Sequence, residues 1–158
     1  MTPEEVAKIE SEFGINFPDH YRQTLIKGLG YDSYVVDCDY NSLRESNLYP
    51  REQGICWALP WENHFWIVGG DGAGGFNLMD TSSQENIIYY FDHEDCGISL
   101  SDAKVTTQTL DEIIEEDLAI QKEIEEEELI VNKIRELKIR NRSWWQFWIP
   151  KTNKPNKK

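Results

Sequence analysis

The sequence predicts an α+β domain: a mostly antiparallel sheet of about five strands, with two short N-terminal helices and a long C-terminal helix. Three observations lead there. Between Phe65 and Glu94, the apolar runs Phe65–Val68, Phe76–Met79 and Ile87–Phe91 are separated by a glycine-rich turn and by the polar stretch Thr81–Asn86, the pattern of a β-meander. Ahead of the meander, capping residues introduce short stretches with apolar residues at helical spacing. Behind it, Leu110, Ile113, Ile120, Ile124, Val131 and Ile134 form one long helical stripe. Helices gathered on one side of an antiparallel sheet define the class.

Taken in order, Thr2-Pro3-Glu4-Glu5 is a capping box, with Thr2 as N-cap, Pro3 at the first helical position and Glu5 reaching back. Val6, Ile9 and Phe13 share a face, and Gly14 stops the helix. Ile15-Asn16-Phe17 is extended because Pro18 follows, and Pro18 suits the first turn of a second helix carrying Tyr21, Leu25 and Ile26 inward. Gly28 and Gly30 end it. Tyr34–Cys38 is expected to be a strand. Asn41–Tyr49 fits either a helical turn or an edge strand. Gly54–Leu59 is a further strand, closed by Pro60. The three runs of the meander complete the sheet. Thr109-Leu110-Asp111-Glu112 repeats the capping signature and opens a helix expected to reach about Arg142, roughly 50 Å at 1.5 Å per residue. Such a helix is longer than a sheet, so part of it must leave the body or break near Glu125–Glu128.

The glycine-rich stretch Gly69-Gly70-Asp71-Gly72-Ala73-Gly74-Gly75 invites comparison with phosphate-binding loops. Those need a strand before the glycines and a helix after them, so that the anion meets the helix N-terminus. Here Phe76–Met79 continues as strand and no Gly-Lys-Ser/Thr follows, so the glycines supply positive φ in a tight, bulged connection. An EF-hand is equally unsupported, because the alternating oxygen ligands and closing glutamate are missing.

With 158 residues and 12% aromatics, the chain has the material for one domain and an appended element. Its net charge of −13 is uneven: from Lys133 onward nine Lys and Arg face only Glu136, a balance of +8, which leaves −21 on residues 1–132. That body repels nucleic acid and suits a basic partner, although such acidity also serves solubility. Cys38, Cys56 and Cys96 show neither disulfide nor zinc spacing and fit small buried residues in a reducing compartment. No secretion signal opens the chain and no run approaches a membrane span, so a cytoplasmic protein without a cofactor is expected.

Phe13-Gly14-Ile15-Asn16-Phe17-Pro18-Asp19-His20-Tyr21, then Leu59-Pro60, Gly70–Asp80 and Ile88–Glu94, resemble in order and spacing the corresponding segments of the SUKH superfamily, the SMI/KNR-type proteins. The resemblance covers about residues 4 to 120. Lys27-Gly28-Leu29-Gly30 departs from the usual Asn-Gly-Gly after the second helix. What the resemblance implies is a domain that works by binding, with no catalytic residues. Bacterial members are typically immunity proteins that occlude polymorphic or contact-dependent toxins, and fungal relatives are regulatory adaptors. The implied organisation is a SUKH-like domain over 1–120, a helical extension with a Trp-rich end over 121–150 and a disordered basic tail over 151–158.

No catalytic or metal-binding residue emerges from the sequence. Asp92-His93-Glu94 has the residue types of a metal site or an acid–base pair, but strand alternation sets His93 opposite Asp92 and Glu94. A small hydrolase using that cluster is the weakest of three expectations. The first is an immunity protein whose partner, a toxin domain such as a nuclease with a basic surface, meets Trp61, Glu62, Asp71, Asp92 and Glu94. The second is an adaptor attached to membrane or partner through Trp144, Trp145, Phe147 and Trp148 and the lysine-rich end. Those aromatics fit fold-back or partner burial better than a membrane anchor. Finally, the segregation of acidic Asp111–Glu128 from basic Lys133–Arg142 suits the helix dipole, and also suits antiparallel pairing of two copies in a homodimer.

Overall fold

The computed structural model describes residues 1–54, 61–92 and 104–146, of which 104–107 and 141–146 are described as backbone only. The chain divides into two compact units, Met1–Asp117 and Leu118–Lys158. In the first, Thr2 and Glu5 form the reciprocal capping box of α1 (Pro3–Phe13), and Gly14 closes it in the left-handed region at φ 66°. Pro18 serves as the N-cap of α2 (Asp19–Lys27), one residue ahead of the expected first turn. Val6, Ile9, Tyr21 and Leu25 are buried, whereas Ile26, expected to face inward, is exposed.

Asn41–Tyr49, open between helix and strand in sequence, lies in a third helix, α3 (Tyr40–Gln53), because the Asp39 carboxylate accepts the Ser42 N–H as an N-cap. Leu43, Asn47 and Pro50 of α3 are buried. Four strands follow: β1 (Phe65–Gly70), β2 (Phe76–Asp80), β3 (Ile87–Phe91) and β4 (Lys104–Thr109). They form an antiparallel sheet in the order β1-β2-β3-β4, with a bulge between Ile67 and Gly69. The meander is as expected, whereas β4 was not foreseen. The strand expected over Gly54–Leu59 lies outside the described residues beyond Gly54, which ends α3.

Tyr34–Cys38 is not a strand. The Ser33 hydroxyl accepts the N–H groups of Val35 and Val36, which bends the chain, and only two backbone bonds reach β1: Gly70 N–H to Tyr34 O and Asp37 N–H to Val68 O, both 2.7 Å. Those bonds cover part of an exposed sheet edge. The rest of β1's outer edge is covered by side chains. Asn47 of α3 accepts the Ile67 N–H and donates to the Ile67 carbonyl, both at 2.8 Å, so one amide serves as a strand partner. Arg51 and the Trp61 indole N–H donate to the Phe65 carbonyl at 3.0 and 3.1 Å. Every one of these bonds removes a backbone group that would otherwise invite another strand.

The sheet is apolar on both faces. Trp66, Val68, Met79 and Ile88 pack against the three N-terminal helices together with Leu110 and Ile113, while Phe65, Ile67, Leu78 and Phe91 form a second cluster with Trp61, Phe76 and Tyr89. Trp66 is fully buried and meets Phe13 and Phe17 edge-on, centroids 5.1 and 5.0 Å apart. The Arg51 guanidinium lies 5.0–5.4 Å from the rings of Phe13, Trp61 and Trp66, and burial draws its pKa down to about 10, so it stays charged.

The last helix, α4 (Leu110–Gln146), begins in the first unit, where Thr109 and Glu112 form the expected capping box and Leu110 and Ile113 are buried. Its 37 residues correspond to about 55 Å. The helix is continuous through Glu125–Glu128, without the break considered there.

Candidate partner-binding surface

The glycine hairpin between β1 and β2 is organised by Asp71. One carboxylate oxygen accepts the N–H groups of Ala73 and Gly75 at 2.7 and 2.9 Å, and the other accepts the Tyr90 hydroxyl at 2.6 Å. The Tyr90 bond, then the loop N–H groups, hold its pKa down at about 2. Gly72 and Gly74 take positive φ, and a Cβ on Gly75 would lie 2.3 Å from the Tyr90 hydroxyl. Gly69 has a different reason: its Cβ would lie 2.3 Å from the Val35 carbonyl, so glycine lets residues 34–35 cross the edge of β1.

Between that crossing segment, the start of α3 and the hairpin lies a cleft of about 500 Å³. Ser33, Tyr34, Asp37, Asp39, Ser42 and Ser46 line its polar side, and Leu43, Ile67 and Phe76 with the hairpin glycines its apolar side. Its described lining holds two carboxylates and no Lys or Arg, and Asp71 belongs to the hairpin that forms its wall. Tyr34 is 76% exposed at this margin. One oxygen of Asp37 accepts the Asp39 N–H and one of Asp39 accepts the Ser42 N–H, so both carboxylates are held by short backbone turns.

Of the residues expected from sequence to meet a partner, the described ones do not form one patch. Trp61 and Glu62 precede β1 at the end where Phe65 pairs with Asp80, whereas Asp71 follows β1 and Asp92 follows β3 at the opposite end, where Phe76 pairs with both Gly70 and Phe91. Trp61 is half-buried between Arg51 and the Phe65 carbonyl, and Glu62 lies 3.7 Å from His64. Glu94, His93, Phe147 and Trp148 lie outside the described residues, as do the side chains of Trp144 and Trp145. Sequence reasoning missed Tyr34, Asp37 and Asp39, because a strand assignment hid the turn chemistry of Ser33 and Asp39. The Asp-x-Asp spacing just ahead of a helical pattern was the signal available.

Among the described residues, no group of three or more His, Cys, Asp or Glu is placed to hold a metal ion, and no helix is long and apolar enough to cross a membrane. Cys38 is half-buried, and burial pushes its thiol pKa up. The fold is that of a small α+β domain with an acidic cleft beside its glycine hairpin. A family model for the SMI1 / KNR4 family (SUKH-1) matches residues 1–116, most of the chain, and the chain belongs to that family. No curated protein matches it. The matched span all but coincides with the first compact unit, Met1–Asp117.

Proposed function

We propose that this protein is an immunity protein that binds a cognate polymorphic or contact-dependent toxin domain and neutralises it by occlusion, without catalysis of its own. The observation that carries the proposal is membership of the SUKH-1 family over the whole compact unit that builds the sheet. The cleft beside the glycine hairpin is the face best suited to the partner. Tyr34 supplies an exposed aromatic anchor, and Asp37, Asp39 and Asp71 surround it with negative charge on pre-organised turns. The charge of −21 on residues 1–132 favours a toxin with a basic surface, a nuclease for example, and accelerates encounter with it.

The test is co-expression with the toxin domain encoded beside the gene, followed by binding measurements on the purified pair. Wild-type chain should restore growth. Tyr34→Ala combined with Asp37→Asn and Asp39→Asn, which keep the turn acceptors, should weaken binding by about tenfold or more without lowering the melting temperature appreciably. Toxicity unaffected by wild-type chain, with no complex at micromolar concentrations, would remove the immunity assignment. Full neutralisation by the triple variant would move the interface away from the cleft.

A further inference from the structure

Beyond Asp117, α4 presents apolar residues that nothing in its own compact unit covers among the described residues. Ile120, Ile124, Val131 and Ile134 fall on one stripe at the three- and four-residue steps of a heptad seam, and they are 55, 45, 44 and 45% exposed. The remaining seam positions are polar and of opposite charge, Glu127 and Lys138. Flanking the seam are Glu128 and Arg135 on one side and Ile130 and Leu137 on the other. Leu118, Leu129 and Ile139 lie off this stripe.

We propose that this stretch of α4 pairs with the same stretch of a second copy, antiparallel, centred between Asn132 and Lys133. Charge and shape select that register. It sets Glu127 against Lys138 of the second copy, Val131 against Ile134, Ile130 against Leu137 and Glu128 against Arg135, each pair occurring twice by two-fold symmetry. Both polar seam residues are thereby matched, and both apolar flanking residues meet apolar partners. Parallel pairing instead stacks Glu127 on Glu127 and Lys138 on Lys138. An antiparallel shift of one heptad sets Glu127 against Val131 and Glu128 against its own copy. In this register the described side chains of the two copies overlap over residues 125–140, about 24 Å of helix or some two heptads, and Ile120 and Ile124 lie beyond that overlap.

Sedimentation equilibrium of the full chain decides the matter. A monomer–dimer equilibrium that weakens as salt rises is expected, because the flanking charges are exposed. Glu127→Lys with Glu128→Arg should raise the dissociation constant at least about tenfold, as should Arg135→Glu with Lys138→Glu, since each places like charges face to face. Mixing these two variants should restore a dimer containing one of each, and circular dichroism should show all chains equally helical. A parallel dimer would be weakened by neither variant, because its seam holds like charges before and after substitution. That insensitivity would overturn the proposal. A wild-type chain that remains monomeric at high micromolar concentration would do so too, and anionic vesicles or the toxin domain captured by that monomer would then identify the occupant of the stripe.

Discussion

Two amphipathic helices of this protein start alike and end differently. Both α1 and α4 open with a Thr–Glu capping box, and both carry an apolar stripe. In α1 the stripe is covered: Val6 and Ile9 are 1 and 0% exposed. In α4 coverage stops after Asp117, and Ile120, Ile124, Val131 and Ile134 remain 44–55% exposed. The contrast shows that a hydrophobic period specifies a helix and a face but not what covers the face. A short helix such as α1 depends on its tertiary neighbours, since nucleation is costly and isolated helices of such length are marginal. The long helix draws on its length and on side-chain spacings such as Lys122 with Glu126 and Glu136 with Arg140.

That contrast can be broken most sharply at Trp66. Replacing it by Ala removes a fully buried indole held edge-on by Phe13 and Phe17, and denaturant unfolding should register a loss of roughly 3–5 kcal/mol. Hydrogen exchange over 120–140 should be unchanged, and equal acceleration there would mean that the two units unfold as one. Asn47→Ala comes next. It strips the Ile67 N–H and carbonyl of their partners at the edge of β1, a cost of roughly 1–3 kcal/mol by the same measurement.

Asp71→Asn should have a smaller effect, and one that depends on pH. The Asp71 pKa is depressed to about 2 in the fold, below its unfolded value, so its stabilisation is present above about pH 4 and is lost as pH falls through about 2. Because the carboxylate is exposed, solvent screening keeps the contribution modest. The stability difference between wild type and Asp71→Asn should therefore be visible at pH 7 and should shrink towards zero in acid; a constant difference would assign the effect to the loop's shape rather than its charge. Smallest of all, Ile124→Ala at a concentration where the chain is monomeric should change unfolding free energy by no more than about 0.5 kcal/mol, as for an exposed site. A larger loss under those conditions would show that the stripe is covered within the chain itself.

Of the candidate site, sequence alone pointed to Asp71 and to the glycine hairpin, because strand–glycine–strand order is a local pattern with a local cause. It did not group Asp71 with Tyr34, Asp37 and Asp39. Those residues sit more than thirty positions away in the chain, and they arrive at the hairpin only because Gly69 lets residues 34–35 cross the edge of β1. Trp61 and Glu62 were expected to meet the same partner as Asp71, yet a strand runs between them and sets them at opposite ends of the sheet.

By itself, the sequence determined the elements whose causes are local: the capping boxes at Thr2 and Thr109, the stop at Gly14, the meander and its glycine turn, and the family resemblance over the body. Tertiary structure alone decided that Tyr34–Cys38 bends along β1 instead of joining the sheet as a strand, that Asn41–Tyr49 is helical, and that β4 pairs with β3. The physical reason is that these outcomes depend on partners distant in the chain. The edge of β1 must have its N–H and carbonyl groups bonded, and the side chains that meet this need, Asn47 and Arg51, become partners only after α3 has packed against the strand.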